Sequence, residues 1–143
     1  MNTTSNTDRQ LTTASAFYAA CFVLHNADHA RRGIAATPEP VVWAGTFVAM
    51  LSAVLITLVV VRHRRSAMFC AVGGAAIAVG VSLTHLLPKW GVLSDPVLTN
   101  ANDAVTRIAV VSEIVGAAVL AVVGLRSARK SLTHRGTLQA APR

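Results

Sequence analysis

The sequence predicts an all-α membrane fold: a four-transmembrane-helix bundle running up-down-up-down with both termini in the cytoplasm. Three observations carry this. Of 143 residues, 53% are hydrophobic and only 13% are charged, where an ordinary soluble domain has about 25% charged. The charges fall between long uncharged runs, each near the roughly 20 apolar residues that a helix needs to cross a bilayer. The basic residues gather at alternate ends of those runs, as the positive-inside rule requires.

The expected spans are 11–30, 41–61, 66–87 and 104–125. Val41 to Val61 is free of charge over 21 residues, a reach of about 32 Å at ~1.5 Å per residue. Ser66 to Leu87 has only His85, close to its end. Ala104 to Leu125 contains Arg107 and Glu113. Leu11 to Ala30 is the weakest, apolar from Ala16 to Leu24 but closing on His25, Asp28 and His29. A cleaved signal peptide fits this first run poorly, because Asp8 precedes it and no soluble domain follows. Residues 1–10 read as a disordered tail, 11–126 as the transmembrane domain, and 127–143 as a basic cytoplasmic tail.

Orientation follows from the loops. Arg9, Arg62, Arg64, Arg65, Arg126, Arg129, Lys130, Arg135 and Arg143 fall on one side, nine of the thirteen Lys and Arg. Arg31, Arg32, Lys89 and Arg107 fall on the other. The first set marks the cytoplasm. Trp43 and Trp90 then lie at outer span ends, where indole favours the headgroup layer. For packing, Gly73, Ala76 and Gly80 are expected on one side of the third helix. Ala117 and Ala121 repeat at four residues on the fourth, with Gly116 and Gly124 nearby. Small residues let membrane helices approach closely.

Orientation also collects the ionisable groups. The first and third helices end outside, placing His25, Asp28, His29 and His85 there. The fourth begins outside, placing Asp103, Arg107 and Glu113 in its outer half. Glu113 is nine residues past Ala104, roughly 13 Å deep, and His25 is five from Ala30, roughly 7 Å deep. His25 is the nearest match in depth to Glu113. His25 and His29 are four apart and share a helix face.

The ligand types suit Zn, Cu or Fe: His25, His29 and His85, with Asp28 or Glu113 as carboxylate. A carboxylate binds the ion directly or holds an imidazole from behind. Plainer readings stand beside this. Interfacial His is often only solvated or hydrogen-bonded. Asp28 is also a ready partner for Arg31 or Arg32, and Asp103 an N-cap or an i, i+4 partner of Arg107. Glu113 is hardest to dismiss, since a charge at a span centre costs ~2.5–3.5 kcal/mol on insertion scales. Glu113, Asp103 and Arg107 form the alternative proton or polar network. His63 and His134 are given no role. Cys21 and Cys70 differ too much in depth for a disulfide. Pro88 ends the third helix, and the loop to Pro96 is placed to cap the cluster with Trp90.

No nucleotide loop, serine elbow or Cys-x-x-Cys pair is present. The basic residues lack aromatic interleaving, so the expected partners are the lipid bilayer and, at the basic loop and tail, anionic lipid. Nucleic acid is not expected. A homo-oligomer or a place in a larger membrane complex stays open.

At His25-Asn-Ala-Asp28-His29-Ala-Arg31-Arg32-Gly33 and His85-Leu-Leu-Pro88-Lys-Trp90-Gly91-Val-Leu-Ser94-Asp95, the chain resembles uncharacterised small four-span integral membrane proteins of actinobacteria. The resemblance covers about residues 11 to 126 and implies the fold, but no activity. Small multidrug exporters share the four-span plan, but their essential Glu is in the first helix, whereas this chain's membrane Glu is in the fourth, so that match is rejected. Three functions fit the residues: a metal-binding or redox site at the outer end, a structural or accessory subunit whose polar cluster fixes packing, and a proton-coupled carrier using Glu113. The expected location is the cell membrane, multi-pass.

Overall fold

The computed structural model describes residues 3–98 and 103–139. It contains four α-helices, α1 (Thr3–Arg32), α2 (Glu39–Val60), α3 (Ser66–His85) and α4 (Ala104–Gln139), with a short 3-10 turn at Ile34–Ala36. Three segments are long and apolar enough to cross a membrane: Glu39–Val60, Ser66–His85 and Ala104–Ser131. The fourth helix, α1, is not among them. Polar residues up to Thr13 and the charged end after Leu24 shorten its apolar middle.

Two helices run past the expected bounds. α1 begins at Thr3, within the segment read as an irregular tail. There the Thr12 and Thr13 hydroxyls donate back to the carbonyls of Asp8 (2.9 Å) and Arg9 (3.0 Å). α4 continues to Gln139 through the basic segment, where Leu, Arg, Ala and Lys are good helix formers. Met1, Asn2, 99–102 and 140–143 lie outside the described residues, including Arg143 of the basic tail.

Local chemistry fixes the helix ends. α1 stops at Gly33, whose φ of 87° suits a residue without Cβ. Pro40 sits in the first turn of α2, where its missing N–H costs no helical bond. α2 closes with Arg62 at φ 52°, the N–H of Arg62 on Val59 (3.0 Å) and that of His63 on Leu58 (2.9 Å). This is a Schellman closure, made here by a residue other than Gly.

The buried stripes have helical spacing. On α1 they are Leu11, Ala14, Tyr18, Cys21, His25 and Asp28; on α4, Thr106, Val110, Glu113, Ala117 and Leu120. Each stripe is apolar over most of its length and polar at one end. α4 packs closely on both α1 and α3, while α2 leans more lightly on α3 and α1. Tyr18, Leu55, Ile77, Val110 and Leu120 form the centre of the core. The Tyr18 and Ser52 hydroxyls hydrogen-bond there, tying α1 to α2. The outward faces carry Phe47, Met50, Val72, Val79 and Ile108, all exposed. Apolar surface on this scale marks a face that meets lipid or another protein.

Glycine sets the closest approaches. A Cβ at Gly74 would lie 2.8 Å from the Ala117 carbonyl oxygen, and one at Gly124 would lie 2.6 Å from the Ala71 nitrogen. α3 and α4 therefore meet backbone to backbone. The structure corrects the expected face on α3. Gly73 faces Leu55 of α2, Ala76 is exposed, and Gly80 has nothing within 4 Å of its Cβ position. Gly74, one residue along from Gly73, turns to α4 instead. Cys21 and Cys70 are both buried free thiols.

Candidate functional site

The polar ends of the stripes meet at one end of the bundle. α1 delivers His25, Asp28, His29 and Arg32, related by three- and four-residue steps that put them on one side of the helix. α3 delivers its last residue, His85. The following loop folds back over it and caps the helix. The carbonyls of Leu83, Thr84 and His85 accept from Trp90 Nε1–H (2.8 Å), Asp95 N–H (2.9 Å) and Val97 N–H (2.9 Å). These carbonyls have no partner within the helix itself. Ser94 Oγ accepts from the backbone N–H groups of Trp90 (3.0 Å) and Gly91 (3.2 Å), shaping the turn. The loop thus covers the cluster, as expected from Pro88 to Pro96.

The three imidazoles converge. Ring centroids are 4.8 Å apart for His25 and His29, 5.1 Å for His25 and His85, and 5.9 Å for His29 and His85. One ring nitrogen from each lies within 4.8 Å of the others. Across a tetrahedral zinc with Zn–N of about 2.0–2.1 Å, ligand nitrogens sit about 3.4 Å apart. Small ring rotations, closing about 1.4 Å at most, would complete the set.

Each ring is held from behind. His25 Nδ1 meets the Glu113 carboxylate, which accepts its proton. His85 Nδ1 donates to the Asp95 backbone carbonyl at 2.9 Å. His29 Nδ1 lies 3.1 Å from the Thr37 hydroxyl and 3.1 Å from Arg32 Nη2. For His25 and His85 this pattern leaves the Nε2 lone pair bare. His29 differs: Arg32 can only donate, so its Nδ1 is the acceptor and the ring proton is on Nε2. The pattern at His25 and His85 is how metal-binding histidines are oriented, the second nitrogen fixing tautomer and ring plane. His25 Nε2 is buried and has no hydrogen-bond partner among the described residues. Leaving such an atom unsatisfied costs about 1–3 kcal/mol.

Glu113 is 2% exposed. It is joined to His25 and stands behind the ring rather than among the convergent nitrogens, matching the depth argument that paired them. Asp28 is taken up differently. Its carboxylate accepts from Arg31 Nη2 (2.7 Å) and Nε (3.0 Å) and from Arg32 Nε (3.1 Å). This is the ion-pair reading of Asp28, and it draws the carboxylate away from the imidazoles. Arg31 extends to α4, donating to Asp103 Oδ1 (3.0 Å) and Thr106 Oγ1 (3.2 Å). The Asp28 carboxylate holds the Arg31 guanidinium above its ordinary pKa. Asp103 caps α4 by accepting from the Thr106 N–H at 2.9 Å, and that bond holds its carboxyl below the usual range. Arg107 is exposed. The Glu113, Asp103 and Arg107 set is therefore divided: Glu113 on His25, Asp103 on Arg31, and Arg107 at the surface.

Two residues at the site were not singled out from the sequence. Thr37 has no signal beyond following His29 by eight residues. Asp95 was read only as part of a turn. It is buried, with Oδ2 3.6 Å from Arg32 Nη2 and 3.8 Å from His85 Nδ1. The loop's fold-back brings it there.

Beside the imidazoles is a cavity of about 240 Å³ between α1, α2 and α3. Val41, Ala44, Val48 and Val81 form apolar walls, and Trp90 and Leu93 of the loop close one side. Gly45 and Gly80 also line it, with open space where a Cβ would stand. Comparison of the chain with protein-family models, curated proteins and solved structures finds no match.

Proposed function

We propose that the protein is a four-span membrane protein that binds one transition-metal ion through His25, His29 and His85. α1 acts as the fourth span. The bundle runs up-down-up-down, and the basic residues of the α2–α3 turn and of the α4 tail hold both termini in the cytoplasm. The histidine site then lies at the outer face of the cell membrane. The observation that carries the reading is the convergence of three imidazoles, with the buried His25 Nε2 lacking a partner among the described residues.

Zn fits first, with Cu and Fe as the other candidates, because three neutral nitrogens leave a tetrahedral ion one open position. When bound, the ion would supply Lewis-acid or metal-handling chemistry beside the cavity. The residues have separable tasks. His25, His29 and His85 bind. Glu113 orients His25 and offsets part of the ion's charge. Asp95 and Thr37 orient His85 and His29. Trp90 and the loop restrict water.

The test is metal content. Protein purified in detergent is incubated with Zn, Cu or Fe, desalted and analysed for elements. One ion per chain is expected. A metal-free protein after all three incubations would replace this reading with the structural one. The structural reading has its own support in Arg31, which pairs with Asp28 of its own helix and with Asp103 at the start of α4, fastening α1 to α4 without any ligand.

A further inference from the structure

A second site lies away from the histidines. α1 and α4 touch closely where Gly116 faces Tyr18 and Cys21. Toward the other end of the bundle, the pair opens into a groove of about 590 Å³. Along the helices, Arg9 and Gln10 of α1 and Arg126 of α4 line its end nearest the termini, Phe17 and Val119 line the part further in, and Thr13, Ala14 and Val123 lie between. No acidic side chain lines it among the described residues.

The two guanidiniums come from different helices, yet stand at the same level. Arg9 is two residues before Leu11, where the first apolar run begins, and Arg126 directly follows Leu125, where the last run ends. That level is the boundary between headgroups and acyl chains. A basic end leading into an apolar stretch matches a phospholipid with an anionic headgroup. The phosphate oxygens accept from the guanidiniums, Gln10 offers an amide, and an acyl chain follows Phe17 and Val119 into the hydrocarbon. We propose that this groove binds one anionic phospholipid. The site uses no histidine and is independent of the metal. It rests on α1 and α4 both spanning the bilayer.

The test uses the full chain, released from vesicles of phosphatidylcholine mixed with phosphatidylglycerol, with retained lipid counted by native mass spectrometry. One phosphatidylglycerol should stay with each chain in preference to phosphatidylcholine. Because a basic residue near an anionic surface contributes ~1 kcal/mol, Arg9→Gln and Arg126→Gln should each weaken retention about fivefold. Arg9→Lys should keep most of it. Lys89→Gln removes equal charge at the opposite end of the bundle and should leave it unchanged. Equal loss in that control, or no preference over phosphatidylcholine, would overturn the proposal. So would displacement by glycerol 1-phosphate, which would make the ligand a soluble phosphate. Alkaline carbonate extraction separates the two failures. Release of the chain would refute the spanning reading, while retention without lipid preference would refute only the lipid site.

Discussion

The two ends of the bundle are packed by different means. Near Gly124, α3 and α4 approach until no Cβ would fit between them, and the nearest atoms are backbone atoms of Ala67 and Ala71. At the histidine end, the helices stand apart. Gly80 and Gly45 face open space, and the gap holds imidazoles, carboxylates and a cavity. Membrane helices lack a hydrophobic drive toward one another, so close van der Waals packing has to supply it. The tight α3–α4 seam provides that cohesion, while α1 and α4 part at the same level into the groove. The open end accommodates polar groups that would otherwise be expensive in lipid.

The largest expected effect is at the open end. His25→Ala and His85→Ala should each abolish metal retention in elemental analysis, while His134→Ala should not. The affinity should fall as the pH is lowered far enough to protonate the imidazoles, because protonated imidazole cannot ligate. A titration of bound metal against pH checks the sign. Metal retained with equal affinity at about pH 3, far below the ordinary imidazole range, would remove the histidines from the site.

Next comes the tight end. Gly124→Ala forces a Cβ against the Ala71 nitrogen and the Ala67 carbonyl oxygen, at 2.6 and 2.7 Å. Overpacking of this kind costs about 1–3 kcal/mol, here at the upper end because the neighbours are backbone. Thermal unfolding in detergent measures it. Gly80→Ala makes the same chemical change where there is room, and should stabilise by about 0.5–1 kcal/mol through helix propensity. Equal effects at the two sites would erase the contrast between the ends.

Glu113→Gln sharpens the comparison further. It keeps shape and removes charge. Loss of such a partner typically costs 10–100-fold in metal affinity, read by competition with a chelating dye. A silent change would mean that Glu113 serves packing alone.

Part of this contrast was legible in the sequence. The gathering of His25, His29, His85 and Glu113 followed from alternating helix direction. The pairing of Glu113 with His25 followed from counting residues along the helix rise. What the sequence left open was the choice between two partners for the same group. Asp28 suited both a metal and the neighbouring arginines, and only side-chain geometry turns it to Arg31 and Arg32. Asp95 and Thr37 were invisible as orienting residues because a loop fold-back and a turn bring them to the rings, and neither leaves a periodic signal. Gly73 and Gly74 are adjacent, so which of them faces α4 depends on helix rotation, which composition does not fix. The start of α1 at Thr3 was also missed, since Ser, Thr and Asn are weak helix formers whose side chains compete for the backbone.

X-ray absorption at the zinc edge of the zinc-loaded protein tests the central claim most directly. The account predicts three imidazole nitrogens at about 2.0–2.1 Å, with one further light atom, and the loss of one imidazole's scattering in His85→Ala. A shell of sulfur from Cys21 or Cys70, or oxygen ligands without imidazole, would contradict it.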